Sequence, residues 1–240
     1  MLKGCDNLKT IGLIGGMSWE STVTYYQTIN RVIQAELGGL HSARCILYSV
    51  DFHEIAEFQS TGCWEKCAKA LSDIALALEK SGADFIVLCT NTMHKTADDI
   101  AKAISIPILH IAEMTAQELR ENQIKKIALL GTKYTMEEDF YKSRLISNNI
   151  DIVIPEEEDR LFINNTIYNE LCLGIISDKS KERFLKIIDE AVNTGAQGVI
   201  LGCTEIGLLI QQQDTAVPLF DTARIHAAKS ALFSIGKGLL

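Results

Sequence analysis

Positive charge is scarce in this chain, and no run of lysine and arginine interrupts its acidic balance. The sequence has 23 Lys and Arg against 31 Asp and Glu, a formal net charge of −8. Nucleic acids and anionic membrane surfaces are bound through clustered positive charge. The composition therefore argues against nucleic-acid and membrane partners. A small anionic ligand would need local cationic groups or backbone N–H donors.

Long hydrophobic runs are absent as well. No apolar stretch approaches the roughly 20 residues that span a bilayer. The first ten residues, MLKGCDNLKT, lack the apolar segment of a signal peptide. We therefore expect a cytoplasmic protein.

The cysteines show no regular spacing. They are seven in number, which is odd, and this favours reduced thiols over a disulfide framework. Cys63 and Cys67 are four residues apart, but no second pair accompanies them, so we interpret them as residues packed on a helix face. No metal site is predicted.

Short apolar runs rich in Ile, Val and Leu alternate with longer amphipathic stretches. The runs are KTIGLIGG, ARCILYSV, ADFIVLCT, IPILHI, KKIALLGT, IDIVIP, QGVILGCT and VPLFDT. Continuous apolar runs of this length, each followed by helical periodicity, predict buried parallel strands in an α/β fold. The runs form two sets of four.

The two sets resemble each other without gaps. IGLIGGMSWESTVTYYQ aligns with IALLGTKYTMEEDFYKS, and GADFIVLCTNT aligns with GAQGVILGCTE. This repeat predicts two pseudo-symmetric α/β lobes, each a four-stranded parallel sheet flanked by helices. We expect one lobe over residues 1–112, the other over 113–222, and a helix over 223–240 that packs back on the first. Because ligands bind at the carboxyl ends of parallel strands, the active site is expected in the cleft between the lobes.

The repeat also selects the candidate catalytic side chains. It pairs Thr90 with Cys203 and Cys89 with Gly202. Since side chains alternate along a strand, a Cys203 that faces the cleft predicts that Thr90 faces it too and that Cys89 points into its lobe. A shift by one residue would pair Cys89 with Cys203, but it would break the shared GA and require a gap. Cys89 therefore remains the weaker catalytic candidate.

Cys203 follows an apolar strand and precedes a predicted helix N-terminus. That position is expected to lower the pKa of its thiol and favour the thiolate. The neighbouring Asn91, Thr92, Thr204 and Glu205 are residue types that cap helices, and the same groups could also hold a ligand.

Several motifs together resemble the aspartate/glutamate racemase family. They are GLIGGMSWEST, CTNTMH, GTKYTM followed by FY, and GCTE with FDTARIH downstream, and they cover nearly the whole chain. The likeness is strongest to the branch of bacterial broad-specificity amino-acid racemases and L-aspartate/glutamate racemases. It implies an isomerase without a cofactor, a homodimer, and proton transfer at Cα between one residue of each lobe.

The resemblance places the family's first catalytic cysteine at Thr90, since the family's CNT aligns with Thr90, Asn91 and Thr92. A thiol of pKa ~8.5 ionises about seven units more easily than an aliphatic hydroxyl, which puts about 10 kcal/mol against Thr90 as a base. Thr90 can still donate a proton. We therefore expect an unequal pair, in which Cys203 removes the α-hydrogen and Thr90, directly or through water, protonates the opposite face.

The resemblance also implies a set of substrate-binding residues. They are Met17, Gln59, Asn91, Thr92, Thr132, Thr204 and Glu205. Residue type alone leaves other interpretations open: Met17 could be a core residue, Gln59 a solvated one and Thr132 a helix cap.

Members of the family that act on acidic substrates carry an arginine after the second strand and a lysine in the second lobe. Ile55 and Cys172 stand at those positions here, so a distal carboxylate would lack its bidentate partner, and wider specificity is expected.

The histidines are interpreted as structural. His94 is the exception to watch, because it stands four residues after Thr90 and could share its face of the following helix.

Two other functions remain open from the sequence. One cysteine suffices for a decarboxylase or a cis/trans isomerase of small dicarboxylates in the same superfamily. A two-lobed protein that binds an amino acid without converting it would need no thiol at Cys203.

Overall fold

The computed structural model describes residues 8–237, which form two compact units. The first unit runs to His110 and resumes at His226, and the second spans Ile111–Ile225. The domain limits expected at 112 and 222 stay a prediction, because compact packing does not establish which segments fold independently. Residues 1–7 and 238–240, part of the predicted first domain and its terminal helix, lie outside the described residues.

The first unit is a parallel sheet flanked by helices. Its strands are β1 (Ile11–Gly15), β2 (Cys45–Ser49), β3 (Phe85–Leu88) and β4 (Ile108–Leu109). Its helices are α1 (Trp19–Leu37), α2 (Phe52–Ser60), α3 (Trp64–Lys80) and α4 (Ala97–Ala103), with a 3₁₀ turn at Thr92–Thr96. The strand order is β2–β1–β3–β4, and all pairs are parallel. The central strand β1 is buried at every residue, as its uniformly apolar sequence predicts.

The second unit repeats this plan. Its strands are β5 (Lys126–Gly131), β6 (Asp151–Val153), β7 (Val199–Gly202) and β8 (Leu219–Asp221), in the order β6–β5–β7–β8. Its helices are α5 (Ile111–Glu121), α6 (Lys133–Glu137), α7 (Asp139–Ile146), α8 (Glu157–Asn169), α9 (Asp178–Asn193) and α10 (Ile206–Leu209), with 3₁₀ turns at Leu171–Leu173 and Gln212–Asp214. The strand orders of the two sheets are equivalent. The predicted α/β architecture of two four-stranded parallel sheets is confirmed.

The last described helix, α11 (Thr222–Ser234), starts in the second unit and continues in the first from His226 onward. Ala227 and Ala231 are fully buried, and small residues at this spacing let the helix approach its neighbours closely. Phe233 packs edge-on against Phe85 of β3 at 4.9 Å between ring centroids.

Side chains that alternate along β5 contribute to an apolar core on each face of the second sheet. Ala128 and Leu130 of β5 join one apolar cluster, whereas Ile127 and Leu129 join another. This is the period of two expected when helices cover both faces of a sheet.

The turn after β1 depends on a glycine. Gly16 has a φ of 90°, and a Cβ added there would lie 2.3 Å from the Val50 carbonyl oxygen. Only glycine combines that backbone conformation with so close an approach. The turn leads into Ser18, which caps α1 by accepting a hydrogen bond from Ser21 N at 3.4 Å.

Candidate active site

The carboxyl ends of β3 and β7 occupy equivalent places in the two units. Gly82 and Gly195, which the sequence repeat pairs, have φ values of 94° and 91°. Further along, Ile86 and Leu88 belong to the core cluster of the first unit, and their counterparts Val199 and Leu201 belong to that of the second. The structure therefore gives matched backbones to the two segments without a gap.

Cys203 lies directly after β7 and is 7% exposed. Its Sγ–H donates to Glu205 Oε2 at 2.9 Å, and the Thr204 hydroxyl donates to the same oxygen at 2.8 Å. The three predicted residues of this segment are thus joined through one carboxylate.

The environment of Cys203 favours the protonated thiol. Burial raises its pKa well above the usual range, and the negative charge of Glu205 raises it further. The expectation that a helix N-terminus lowers this pKa is therefore wrong. Helix α10 begins at Ile206 and has four residues, and its dipole is small beside a carboxylate that accepts a hydrogen bond from the thiol.

Replacing Glu205 by glutamine is expected to lower the Cys203 pKa by about one unit or more, because it removes the charge and keeps a side chain of the same size. The rate of iodoacetamide alkylation at Cys203, followed against pH by peptide mass spectrometry, measures this shift. The control is Glu113→Gln, which removes a carboxylate that pairs with Arg144. A pKa that stays or rises in Glu205→Gln would contradict the assignment of Glu205 as the cause.

Tyr168 and Cys172 pack against the same core cluster as Cys203, and the sequence predicted a role for neither. Burial raises the pKa of Tyr168 in α8, and the nearby Cys203 raises it further. The sequence did not distinguish Tyr168 as a site residue, because a tyrosine in an amphipathic helix is common. For Cys172, the sequence indicated only that it stands at the position of the family's lysine.

Thr132 follows β5 as Cys203 follows β7. It is 4% exposed, and its Oγ1 accepts a hydrogen bond from Thr135 N at 3.4 Å, capping α6. The capping interpretation of Thr132 is therefore confirmed, and its contact with substrate stays a prediction.

In the first unit, Cys89 and Thr90 differ in exposure. Cys89 is fully buried, its Sγ lies 3.9 Å from the Val87 carbonyl oxygen, and burial raises the pKa of its thiol above the usual range. Thr90 is 7% exposed, the same fraction as Cys203. This contrast supports Thr90 as the counterpart of Cys203.

The residues after Thr90 do not cap a helix as expected. Asn91 precedes the 3₁₀ turn and makes no side-chain capping hydrogen bond, and Glu205 makes none at α10. The capping interpretation is wrong at these two positions, because a 3₁₀ turn and a single-turn helix replace the expected longer helices. Thr92, the first residue of the turn, is buried, as is Thr204.

The remaining candidates of the first unit lie in its core. Met17 is 3% exposed and packs in the apolar cluster of that unit, as its core interpretation allowed. Gln59 is not solvated: it lies in α2, is 4% exposed, and its Nε2 lies 2.9 Å from Met93 Sδ.

Three buried histidines form a cluster, and one of them, His94, contacts Thr90. The ring centroid of His94 is 4.5 Å from that of His110 and 5.7 Å from that of His226. Burial lowers the pKa of His226 to about 3, and the neighbouring His94 contributes to this shift. His226 is therefore neutral in the folded protein at ordinary pH.

The neutral His226 predicts a loss of stability in acid. Its pKa is 6.5 in the unfolded chain and about 3 when folded, so between these values the unfolded state binds the additional proton. The free energy of unfolding should fall as pH drops through this window, by roughly 3 kcal/mol at pH 4. Urea unfolding of the parent and of His226→Gln, at pH 7 and at pH 4, measures it. Equal pH dependence in the two proteins would contradict the expectation.

No group of three or more His, Cys, Asp and Glu side chains is arranged to hold a metal ion within residues 8–237. Over the same range, no helix has both the length and the apolar character needed to cross a membrane.

Comparison with known proteins assigns the chain to a family. The family model for Asp/Glu/hydantoin racemases matches residues 14–230. RacX of Bacillus subtilis (strain 168), a broad specificity amino-acid racemase, is 25% identical over 219 residues, which cover 89% of this chain and 92% of RacX.

Solved structures agree with this match. A Yersinia pestis protein provisionally assigned as an Asp/Glu racemase is 52% identical, with a TM-score of 0.87 over 94% of this chain and 99% of that one. An aspartate racemase homologue of Pyrococcus horikoshii OT3 is 36% identical, with a TM-score of 0.81 over 94% and 99%.

A buried thiol and a buried carboxylate follow β7, and a buried hydroxyl follows β3, at equivalent places in the two parallel sheets. The chain belongs to the Asp/Glu/hydantoin racemase family. The predicted resemblance and the isomerase class, amino-acid racemase, are confirmed.

Proposed function

We propose that this protein interconverts L- and D-amino acids without a cofactor, with Cys203 and Thr90 as the two groups that exchange a proton with Cα. The observation that carries the proposal is the matched position of the two residues. Each follows the third strand of its sheet, and each is 7% exposed. Their different chemistry sets their different roles.

Glu205 prepares the thiol. The Cys203 Sγ–H already donates to its carboxylate, so Glu205 is placed to take the thiol proton and leave the thiolate during the reaction, whereas burial and the charge of Glu205 keep the thiol protonated at rest. The thiolate then removes the α-hydrogen of one enantiomer and becomes a thiol again. The electron pair of the broken C–H bond is delocalised into the α-carboxylate as an enolate.

Thr90 completes the inversion. Its hydroxyl gives a proton to the opposite face of Cα, and the electron pair of the enolate forms the new C–H bond. Water returns the proton held by Glu205 to the Thr90 alkoxide, so every group regains its starting state. A hydroxyl is about 10 kcal/mol harder to ionise than a thiol, so removal of the α-hydrogen of the other enantiomer by Thr90 should be slower. The overall equilibrium between enantiomers is unchanged.

The substrate is held by polar groups that the same segments supply. Candidates for the α-carboxylate and ammonium group are Asn91, Thr92, Thr204 and Glu205. Met17, Gln59 and Thr132 are candidates for lining the substrate site. Hydrogen bonds to the carboxylate would also stabilise the charge of the enolate.

We propose a substrate range wider than aspartate and glutamate. Ile55 is 2% exposed, and Cys172 is half-buried. Neither can form the bidentate ion pair that a side-chain carboxylate prefers. RacX, whose specificity is described as broad, is consistent with this range.

A cytoplasmic location and a homodimer complete the proposal. The thiols of Cys45, Cys63, Cys67, Cys89, Cys172 and Cys203 are free, consistent with a reducing compartment. Size-exclusion chromatography with light scattering measures the oligomeric state.

A screen of the common amino acids in heavy water tests the function. Both enantiomers of each are incubated with the protein, without pyridoxal phosphate or added metal. Proton NMR follows loss of the Cα signal, and chiral chromatography follows inversion. Exchange with inversion is the expected result. The proposal fails if no amino acid exchanges, and ligand binding that survives in Cys203→Ala would then indicate a binding protein.

A further inference from the structure

The side chain of His94 is hydrogen-bonded to the backbone of Thr90. His94 Nδ1 lies 2.8 Å from the Thr90 carbonyl oxygen, and both residues are buried. Since a carbonyl oxygen only accepts, Nδ1 carries the hydrogen and donates it. The chain follows a 3₁₀ turn here, in which His94 N donates to the Asn91 carbonyl oxygen at 3.0 Å. The Thr90 carbonyl therefore takes a hydrogen bond from the imidazole ring instead of from the backbone N–H four residues on.

The imidazole ring of His94 packs against two other histidine rings. The rings of His110 and His226 pack edge-on against the His94 ring, with angles of 64° and 65° between the ring planes. All three rings are at most 8% exposed. A buried ring packed on two sides has few alternative rotamers, so its donor stays directed at one acceptor.

His226 is in turn fixed in one tautomer. Its Nε2 lies 2.9 Å from the Leu109 carbonyl oxygen and must be the donor there. In the neutral ring Nδ1 is then an acceptor, and the Tyr25 hydroxyl, 2.9 Å away, donates to it. The lowered pKa of His226 agrees with a neutral ring, so the ring beside His94 carries no charge.

We propose that His94 is a positioning residue for the Thr90 half of the reaction. Its hydrogen bond fixes the peptide plane after Thr90 and, with it, the direction of the Thr90 Cα–Cβ bond and hydroxyl. His94 acts only through Thr90, so Cys203 should still take the α-hydrogen when the hydrogen bond is lost. The inference rests on the proposed racemase function.

This role predicts a particular product pattern in heavy water. The enantiomer whose α-hydrogen Cys203 removes has two fates: Cys203, re-equilibrated with solvent, returns a deuteron to the same face, or Thr90 protonates the opposite face. The first fate gives exchange with retention, and the second gives inversion. A misplaced Thr90 lowers inversion alone. Small displacements of a reacting group cost up to about 100-fold, so the ratio of inversion to retention should fall by about 10- to 100-fold.

Two substitutions of His94 form the test. His94→Leu keeps an apolar volume but has no donor, and the ratio is expected to fall. His94→Asn places an amide nitrogen where Nδ1 stood, and the ratio is expected to return towards the parent value. If circular dichroism shows that His94→Leu is unfolded, His94→Gln replaces it, because its amide nitrogen stands in place of Nε2 instead of Nδ1.

Tyr25→Phe is the matched control. It removes a buried hydrogen bond from the same histidine cluster but none from Thr90, so the ratio should equal that of the parent. A fall in Tyr25→Phe as large as in His94→Leu, or equal losses of retention and inversion in His94→Leu, would overturn the inference. Lack of exchange in the parent would instead refute the racemase function itself.

Discussion

Replacing Cys203 by serine is expected to lower α-deuterium uptake by at least about 10⁴-fold for the enantiomer whose α-hydrogen Cys203 removes. The substitution keeps nearly the same volume and the possibility of a hydrogen bond to Glu205. It exchanges a thiol for a hydroxyl that is about 10 kcal/mol harder to ionise, so the base that removes the α-hydrogen is lost. Proton NMR of the Cα signal in heavy water measures the loss with the best substrate of the screen.

Cys63→Ser is the control for Cys203→Ser. It makes the same chemical change at a thiol that precedes α3, where serine is a favoured helix cap, and its activity should equal that of the parent. If a folded Cys203→Ser protein takes up deuterium at a rate within tenfold of the parent, Cys203 does not take part in the reaction.

Replacing Thr90 by valine should produce a different loss. Valine has nearly the same shape and no proton to give, so inversion is expected to fall by about 10²- to 10⁴-fold. Exchange with retention at the face of Cys203 should persist, because Cys203 is unchanged. Chiral chromatography combined with NMR separates the two products.

Cys89→Ala decides between the two assignments of the first unit. Cys89 is fully buried, so its loss should lower the free energy of unfolding by roughly 1 kcal/mol and leave the product ratio unchanged. If Cys89→Ala loses inversion while Thr90→Val keeps it, the repeat has been aligned one residue out of register.

The fold was predictable from the sequence because it depends on repeated local patterns. Eight apolar runs with intervening helical periodicity predicted eight parallel strands in two sets, and both sheets form with equivalent strand orders. Pairs such as Gly82 and Gly195 require the same unusual backbone conformation, which constrains residue type directly. The family followed from motifs spread along the chain.

The candidate site was only partly predictable. The internal repeat aligned Thr90 with Cys203. The sequence predicted a lowered pKa for Cys203, whereas the structure raises it. A pKa depends on burial and on the geometry of neighbouring charges, and the sequence shows neither. Helix capping at Asn91 and Glu205 failed for a related reason, since residue type does not distinguish an α-helix from a 3₁₀ turn or from a single helical turn.

By itself, the amino-acid sequence determined the strand and helix pattern, the internal repeat and the chemical types available for proton transfer, because these depend on residue order. Only the tertiary structure decided that Glu205 accepts a hydrogen bond from the Cys203 thiol and that His110 and His226 pack against His94, the ring that donates to the Thr90 carbonyl oxygen. His94 and His226 are 132 positions apart in the chain (226 minus 94). Their contact exists only because α11 continues in the first unit from His226 onward, where both rings are buried.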